Sequence, residues 1–174
     1  MNTDLKSHIK VVPDFPIPGV SFKDINPLIN RPQLFEKVVS SLCEYYYTME
    51  FNTILVPEAR GFLLGAPVAY ALSVPLILAR KEGKLPGDLL NCNYEKEYGF
   101  DKLYIQKGVL IEKSKVLIMD DVLATGNTAK ALSSLVTQSG ATLAGYVFLV
   151  ELLQLNGRQN LEREKVHSLI KYED

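Results

Sequence analysis

Apolar residues recur along the chain in two periods, and their alternation predicts an α/β fold. Between Gln33 and Tyr47, the residues Leu34, Phe35, Val38, Val39, Leu42 and Cys43 fall on one helical face, with Pro32 suited to the first turn. Thr53–Val56 reads as a short buried strand, Pro57–Gly61 as a turn, and Phe62–Leu72 as a second helix with Pro67 inside it. Pro75–Ala79 is another apolar strand, and Leu103–Gln106 is expected to pair with Val109–Ile111 as a hairpin across Lys107-Gly108. Lys115–Met119 reads as a strand ending at two aspartates. A helix follows over Thr128–Ser139, with Ala129, Leu132, Leu135 and Val136 on one face and Gly140 placed to end it. Ala144–Val150 and Val166–Ile170 complete the strands. Strands alternating with helices imply a mainly parallel central sheet flanked by helices. Strand order does not follow from the pattern.

Two stretches depart from this alternation. Val11–Pro27 holds Pro13, Pro16, Pro18, Gly19 and Pro27, a density that excludes a long helix and predicts an ordered, looping N-terminal arm. Lys81–Asp101 is polar and bears glycine. Unstructured loops of about that length in compact domains are usually functional lids or disordered.

Composition narrows the function classes. The 174 residues suit a single domain over 1–174, and the 47% hydrophobic and 22% charged content is that of a soluble globular protein. The formal net charge of -1 lacks the basic excess expected where duplex nucleic acid is the main partner. Cys43 and Cys92 form no CxxC pair, which argues against a disulfide framework or structural zinc. Met1–Lys10 lacks the apolar core of a signal peptide, and no apolar run approaches the roughly 18 residues of a membrane span. A cytoplasmic protein without a membrane partner is the expectation. His8 and His167 have no metal-like partner in the sequence and receive no role.

Val116–Thr128, VLIMDDVLATGNT, carries the most chemistry. A buried strand delivers Asp120 and Asp121 to its carboxyl end, where ligands bind in open α/β sheets. Carboxylates there accept hydrogen bonds from ribose hydroxyls. Ala124-Thr125-Gly126-Asn127-Thr128 then leads into a helix, aiming backbone N–H groups and the positive helix end at an anion. Gly126 permits close approach, and the Thr125 and Thr128 hydroxyls donate to phosphate. A ribose 5-phosphate fits both halves. Neither GK[ST] nor GxGxxG is present, so P-loop and Rossmann readings are weak. Arg60, Arg80, Lys81 and Lys84 are candidate contacts for a pyrophosphate, since arginine binds phosphate bidentately and lysine adds a compact charge.

The same stretch resembles the phosphoribosyl pyrophosphate motif of type I phosphoribosyltransferases. DFPIPGVSFKDINPL at Asp14–Leu28, EARGFLLG at Glu58–Gly65, RKEGKLPG at Arg80–Gly87, EYG at Glu97–Gly99 and ELLQLNGR at Glu151–Arg158 resemble the adenine phosphoribosyltransferases, in the same order. The resemblance implies transfer of phosphoribosyl from phosphoribosyl pyrophosphate to adenine, giving AMP and pyrophosphate in purine salvage. It implies Mg²⁺ carried mainly by substrate oxygens, with no direct protein ligand expected, and a homodimer.

By resemblance, Glu58, Ala59 and Arg60 form a pyrophosphate-binding turn with a cis Glu58–Ala59 peptide. Phe22 stacks on the base, and the Ser21 C=O and Lys23 N–H read adenine, with Leu155 closing the other face. The loop containing Glu97 and Tyr98 is a flap, and Glu97 approaches N7 of adenine to handle a proton. Three positions depart from the family pattern: Ala59 stands where Ser is usual, Asn127 where a second Gly is usual, and Lys23 where Arg is usual. The first removes a hydroxyl from the pyrophosphate loop. Asn127 is expected to tolerate a left-handed backbone there. Two other readings stay open. One is a non-catalytic phosphoribosyl pyrophosphate sensor on this fold, for which an added DNA-binding module would be expected. The other is a transferase for another base such as xanthine or orotate, against which GVSFKD and EYG argue.

Overall fold

The structure is a computed structural model that describes residues 3–95 and 100–173. An N-terminal arm comprises α1 (Thr3–Lys6), β1 (Lys10–Val12), β2 (Phe22–Asp24) and α2 (Asn26–Ile29), followed by helices α3 (Pro32–Cys43) and α4 (Tyr46–Met49). The repeating part runs β3 (Thr53–Pro57), α5 (Arg60–Leu72) and β4 (Leu76–Ala79). A hairpin of β5 (Leu89–Glu95) and β6 (Phe100–Gln106) comes next. The chain continues through β7 (Lys115–Leu123), α6 (Asn127–Gln138), β8 (Thr142–Leu152) and β9 (Val166–Tyr172).

Five strands form one parallel sheet in the order β4-β3-β7-β8-β9. From β3 the chain winds first to one side, then returns to add β7 on the other. That reversal opens a crevice at the carboxyl ends of β3 and β7, the general ligand position in such sheets. Successive strand residues feed opposite faces. Ile54, Val56, Leu117, Met119, Val147 and Leu149 pack with Val38 and Leu42 of α3 and Leu64 and Val68 of α5. Leu55, Val116, Ile118, Tyr146 and Phe148 pack with Leu132, Leu135 and Val136 of α6. Both faces are covered, so these strands read as continuous apolar runs in the sequence.

Four expectations change. The polar stretch after Lys81 is no open loop, because Leu89–Glu95 pairs antiparallel with Phe100–Gln106. Leu103–Gln106 therefore does not pair with Val109–Ile111. Cys92, Leu103 and Ile105 are buried against α6, and the Cys92 thiol donates to Ala131 O at 3.1 Å. An Arg80–Tyr104 bridge, with hydrogen bonds of 2.9 and 2.8 Å, ties the hairpin base to the end of β4. Helix α3 ends at Cys43, short of Tyr47, and β7 continues through the aspartates to Leu123. Pro67 sits within α5, where it frees the carbonyl of Leu63, a residue that is itself exposed to water. Gly140 takes φ 71° directly after Ser139, the C-cap of α6, as its position suggested.

Candidate active site

The turn between β3 and α5 carries the first group of site residues. The Glu58–Ala59 peptide is cis. The Glu58 carboxylate accepts a bond from the Lys81 amide at 3.0 Å and one from Arg80 Nε at 2.9 Å. These contacts, the Lys81 amide first, hold its carboxyl below the usual value. Glu58 N–H donates to Ala79 O at 2.9 Å. The Glu58 side chain is thus a clamp for the next basic segment. As an anion that already serves two donors, it is poorly suited to be a pyrophosphate ligand. Arg80 lies over the Phe62 ring at 5.5 Å, and Lys81 Nζ is 3.9 Å from Asp101 Oδ2. Lys84 is exposed and donates its amide to Lys81 O, but it does not line the cavity at this turn.

At the end of β7, Asp121 is 2% exposed while Asp120 is partly open to the cavity. Asp121 N–H donates to Asp120 Oδ1 at 2.8 Å. Arg60 Nε lies 3.0 Å from Asp121 Oδ2, close enough for charge attraction, yet the alignment falls short of a hydrogen bond and Oδ2 has no hydrogen-bond partner among the described residues. Burial, then the neighbouring Asp121 charge, raises the Asp120 carboxyl well above the ordinary range. Burial raises Asp121 too, against the pull of Arg60. Gly61 lets α5 start beside this pair: a Cβ there would lie 2.8 Å from Pro57 Cδ and 3.2 Å from Asp120 Oδ1. Glu58, Ala59, Arg60, Lys81, Asp120, Asp121 and Thr128 face one cavity of about 230 Å³.

A second, smaller cavity of about 60 Å³ shares Asp120 and Thr128 with the first and is lined by Ala124, Thr125, Gly126 and Asn127. It sits over the N-terminus of α6, whose amides and dipole favour an anion. The left-handed residue is Gly126, at φ 81°. Asn127 is the first residue of α6, so its tolerance of left-handed backbone is not called upon. Gly126 is also pressed on its neighbour: a Cβ would lie 2.5 Å from Gly157 O. Asn160 Nδ2 donates to Thr125 O at 2.8 Å and fixes the two loops together. A left-handed non-glycine residue costs about 1–2 kcal/mol, or about 2–8 °C of melting temperature, and the Gly157 carbonyl must move as well, so Gly126→Ala should lower the melting temperature by at least that much in a thermal unfolding scan.

The arm meets this crevice through Phe22. The Arg60 guanidinium lies 5.6 Å from the Phe22 ring centroid, and Phe15 packs edge-on against the same ring at 5.2 Å. Arg60 therefore spans from the candidate base platform to Asp121. The Lys23 side chain is buried away from this role, with Nζ 3.0 Å from Ser21 Oγ. Leu155, 44% exposed on the turn after β8, lines neither cavity. Glu97 and Tyr98 lie outside the described residues. Tyr94 and Leu103 of the hairpin also line the larger cavity, and Tyr94 Oη donates to Asp101 Oδ2 at 3.2 Å. The sequence reading missed them. The signal available was the alternation Leu90, Cys92, Tyr94 with Leu103, Ile105. Among the described residues no group of three or more His, Cys, Asp or Glu side chains is gathered to hold a metal.

Comparison with known proteins agrees with this geometry. The phosphoribosyl transferase domain family matches residues 28–171. The adenine phosphoribosyltransferase of Desulfitobacterium hafniense is 45% identical over 97% of this chain and 98% of its own length. The crystal structure of adenine phosphoribosyltransferase from Thermoanaerobacter pseudethanolicus superposes with a TM-score of 0.95 at 42% identity, covering 99% of this chain and 100% of that one. The Saccharomyces cerevisiae enzyme, solved with adenine and an imino-altritol bisphosphate, gives a TM-score of 0.92 at 38% identity over 97% of both chains. Likeness of this extent, from the arm to the last strand, makes the chain a member of the adenine phosphoribosyltransferase family.

Proposed function

We propose that the protein joins adenine to the ribose carbon of phosphoribosyl pyrophosphate, forming AMP and releasing pyrophosphate, with the roles of its residues as follows. The observation that carries this reading is the shared crevice. One cavity faces two carboxylates and Arg60, and the adjoining one lies over the start of α6. Ala124–Thr128 holds the 5-phosphate with backbone amides and hydroxyls. Asp120 and Asp121 accept from the ribose hydroxyls, and Asp121 Oδ2 is a buried oxygen suited to such a donor. Arg60, Arg80 and Lys81 attract the pyrophosphate beside the Ala59 main chain, with Glu58 positioning Arg80 and Lys81 and with Lys84 adding charge from outside the cavity. Phe22 stacks on adenine, the main chain of Ser21 and Lys23 reads its edge, and Leu155 closes the pocket. Glu97 handles the proton near N7, and Tyr98 packs the flap that excludes water from an oxocarbenium-like centre.

The carboxylates of Asp120 and Asp121 would offer hard oxygen donors near a cation held mainly by the substrate. Mg²⁺ held there by substrate oxygens would supply positive charge against the pyrophosphate. A homodimer is part of the proposal. Gly61–Ala79 contains no charged residue, and Leu63 and Tyr70 on α5 are 44% and 88% exposed, an apolar face suited to a second copy. So is a cytoplasmic site of action: no helix among the described residues is long and apolar enough to cross a membrane. The net charge of -1 is in keeping with small-molecule substrates and no nucleic-acid partner.

Adenine presents an acceptor at N1 and a donor at its amino group, and hypoxanthine and guanine reverse that pattern. A buried hydrogen-bonding site discriminates by roughly 10⁴ or more. In a nucleotide-formation assay with labelled phosphoribosyl pyrophosphate, adenine should give a kcat/KM at least about a hundredfold above either competitor. Comparable use of hypoxanthine would discard the base assignment and leave the sugar-phosphate assignment standing. Absence of turnover with any base would favour the sensor reading.

A further inference from the structure

We infer that Lys23 and Tyr172 form a pin that positions the base-reading strand, making Tyr172 a positioning residue for adenine. The inference rests on the proposal that the main chain of Ser21 and Lys23 reads the base. Strand β2 belongs to a separate two-stranded sheet with β1 and has no backbone pairing with the five-stranded sheet. Its placement over the crevice therefore depends on side chains. Lys23 is 3% exposed, and its ammonium sits 4.3 Å from the centroid of the Tyr172 ring while donating to Ser21 Oγ at 3.0 Å.

Tyr172 is the last residue of β9, is 5% exposed, and belongs to the core beneath the arm. A second ammonium, Lys6 Nζ of α1, lies 4.4 Å from the same ring and donates to Lys171 O at 2.7 Å. One aromatic ring at the edge of the main sheet thus receives cations from two elements of the arm.

The arrangement has consequences for specificity. The Lys23 ammonium closes a short loop with Ser21 Oγ, so the two residues whose main chain faces the base are fixed relative to each other as well as to β9. A desolvated cation–π contact is worth more than an exposed one, because water no longer competes for the cation. Loss of the contact frees β2 to shift against the sheet. Base affinity is sensitive to such a shift, whereas the 5-phosphate loop and the Glu58–Arg60 turn lie on other elements.

The test compares kinetic constants for both substrates. Tyr172→Leu should raise KM for adenine about tenfold while KM for phosphoribosyl pyrophosphate and saturated kcat stay within twofold. Tyr172→Phe keeps the ring and should keep the adenine KM within threefold of the parent. Lys23→Met should raise the adenine KM as Tyr172→Leu does, and the double variant should be no worse than either single one. Lys23→Arg, which restores a cation able to stack on the ring, should recover most of the loss. Lys6 is exposed, so Lys6→Met should have the smaller effect. Additive effects of the Lys23 and Tyr172 changes would overturn the pin. So would a Tyr172→Leu protein whose adenine KM is unchanged, or whose two KM values and kcat fall together. If Tyr172→Leu does not fold, Lys23→Met against Lys23→Arg carries the same decision. A parent enzyme without activity on adenine would instead remove the base assignment beneath it.

Discussion

Changing Asp120 and Asp121 together to asparagine is expected to lower kcat/KM by at least about a hundredfold while making the fold more stable. Each carboxylate is assigned a charge-assisted hydrogen bond to ribose, worth about 1.5–3 kcal/mol, and losing both corresponds to about 10²–10⁴ in rate. The effect on stability has the opposite sign. Both carboxyls titrate above their ordinary value in the folded protein, because burial, and for Asp120 the neighbouring charge, penalises ionisation. A group with a raised folded-state pKa binds more protons folded than unfolded, so stability falls as pH rises through the ordinary carboxylate value of 3.8 towards the folded one. Asparagine removes that ionisation and keeps an oxygen for the Asp121 N–H. The double variant should therefore melt at about the parent temperature in acid and above it at neutral pH. Scanning calorimetry at two pH values, beside single-turnover assays, checks both halves. Near-parent activity would reduce the pair to a strand end, and a lower melting temperature at neutral pH would mean that Arg60 outweighs the burial cost.

Glu97→Gln carries the second large effect. Acid–base catalysis by a positioned side chain is typically worth about 10²–10⁴-fold, and the single-turnover rate with adenine should fall within that range. The amide keeps the size of the carboxylate and much of its hydrogen-bonding capacity, so affinity for phosphoribosyl pyrophosphate should change little. Glu97→Leu should be at least as damaging. Tyr98→Phe, which retains the ring, should cost little. Single turnover is the necessary readout because slow product release hides a chemical defect. An unchanged single-turnover rate in Glu97→Gln would remove Glu97 from proton handling and leave the flap only its shielding role.

The parallel core was legible because both faces of β3, β7 and β8 are apolar and each strand ends at a marked turn. The acidic strand end and the small-residue turn before α6 were legible because all of their parts lie within Val116–Thr128. What escaped depends on partners distant in sequence. The Glu58 carboxylate became a clamp because Arg80 and Lys81 fold back onto it from the end of β4. The β5–β6 hairpin hid among polar residues because its outer face is solvated, and only its alternate positions meet α6. Lys23 carries a charge, which argues for the surface in any local reading. Only the fold brings Tyr172 from the opposite end of the chain to cover it.

The arm's sheet is separate from the sheet that carries the crevice. The family match begins at residue 28, after β2 and its Phe22 and Lys23. Since β2 is paired with β1 and not with the large sheet, the arm joins the core through side chains such as Ile9, Ile25 and Leu28 and not through strand register. A change of acceptor would then fall on a short segment, away from the elements that carry Arg60, Asp120 and Asp121 into the crevice.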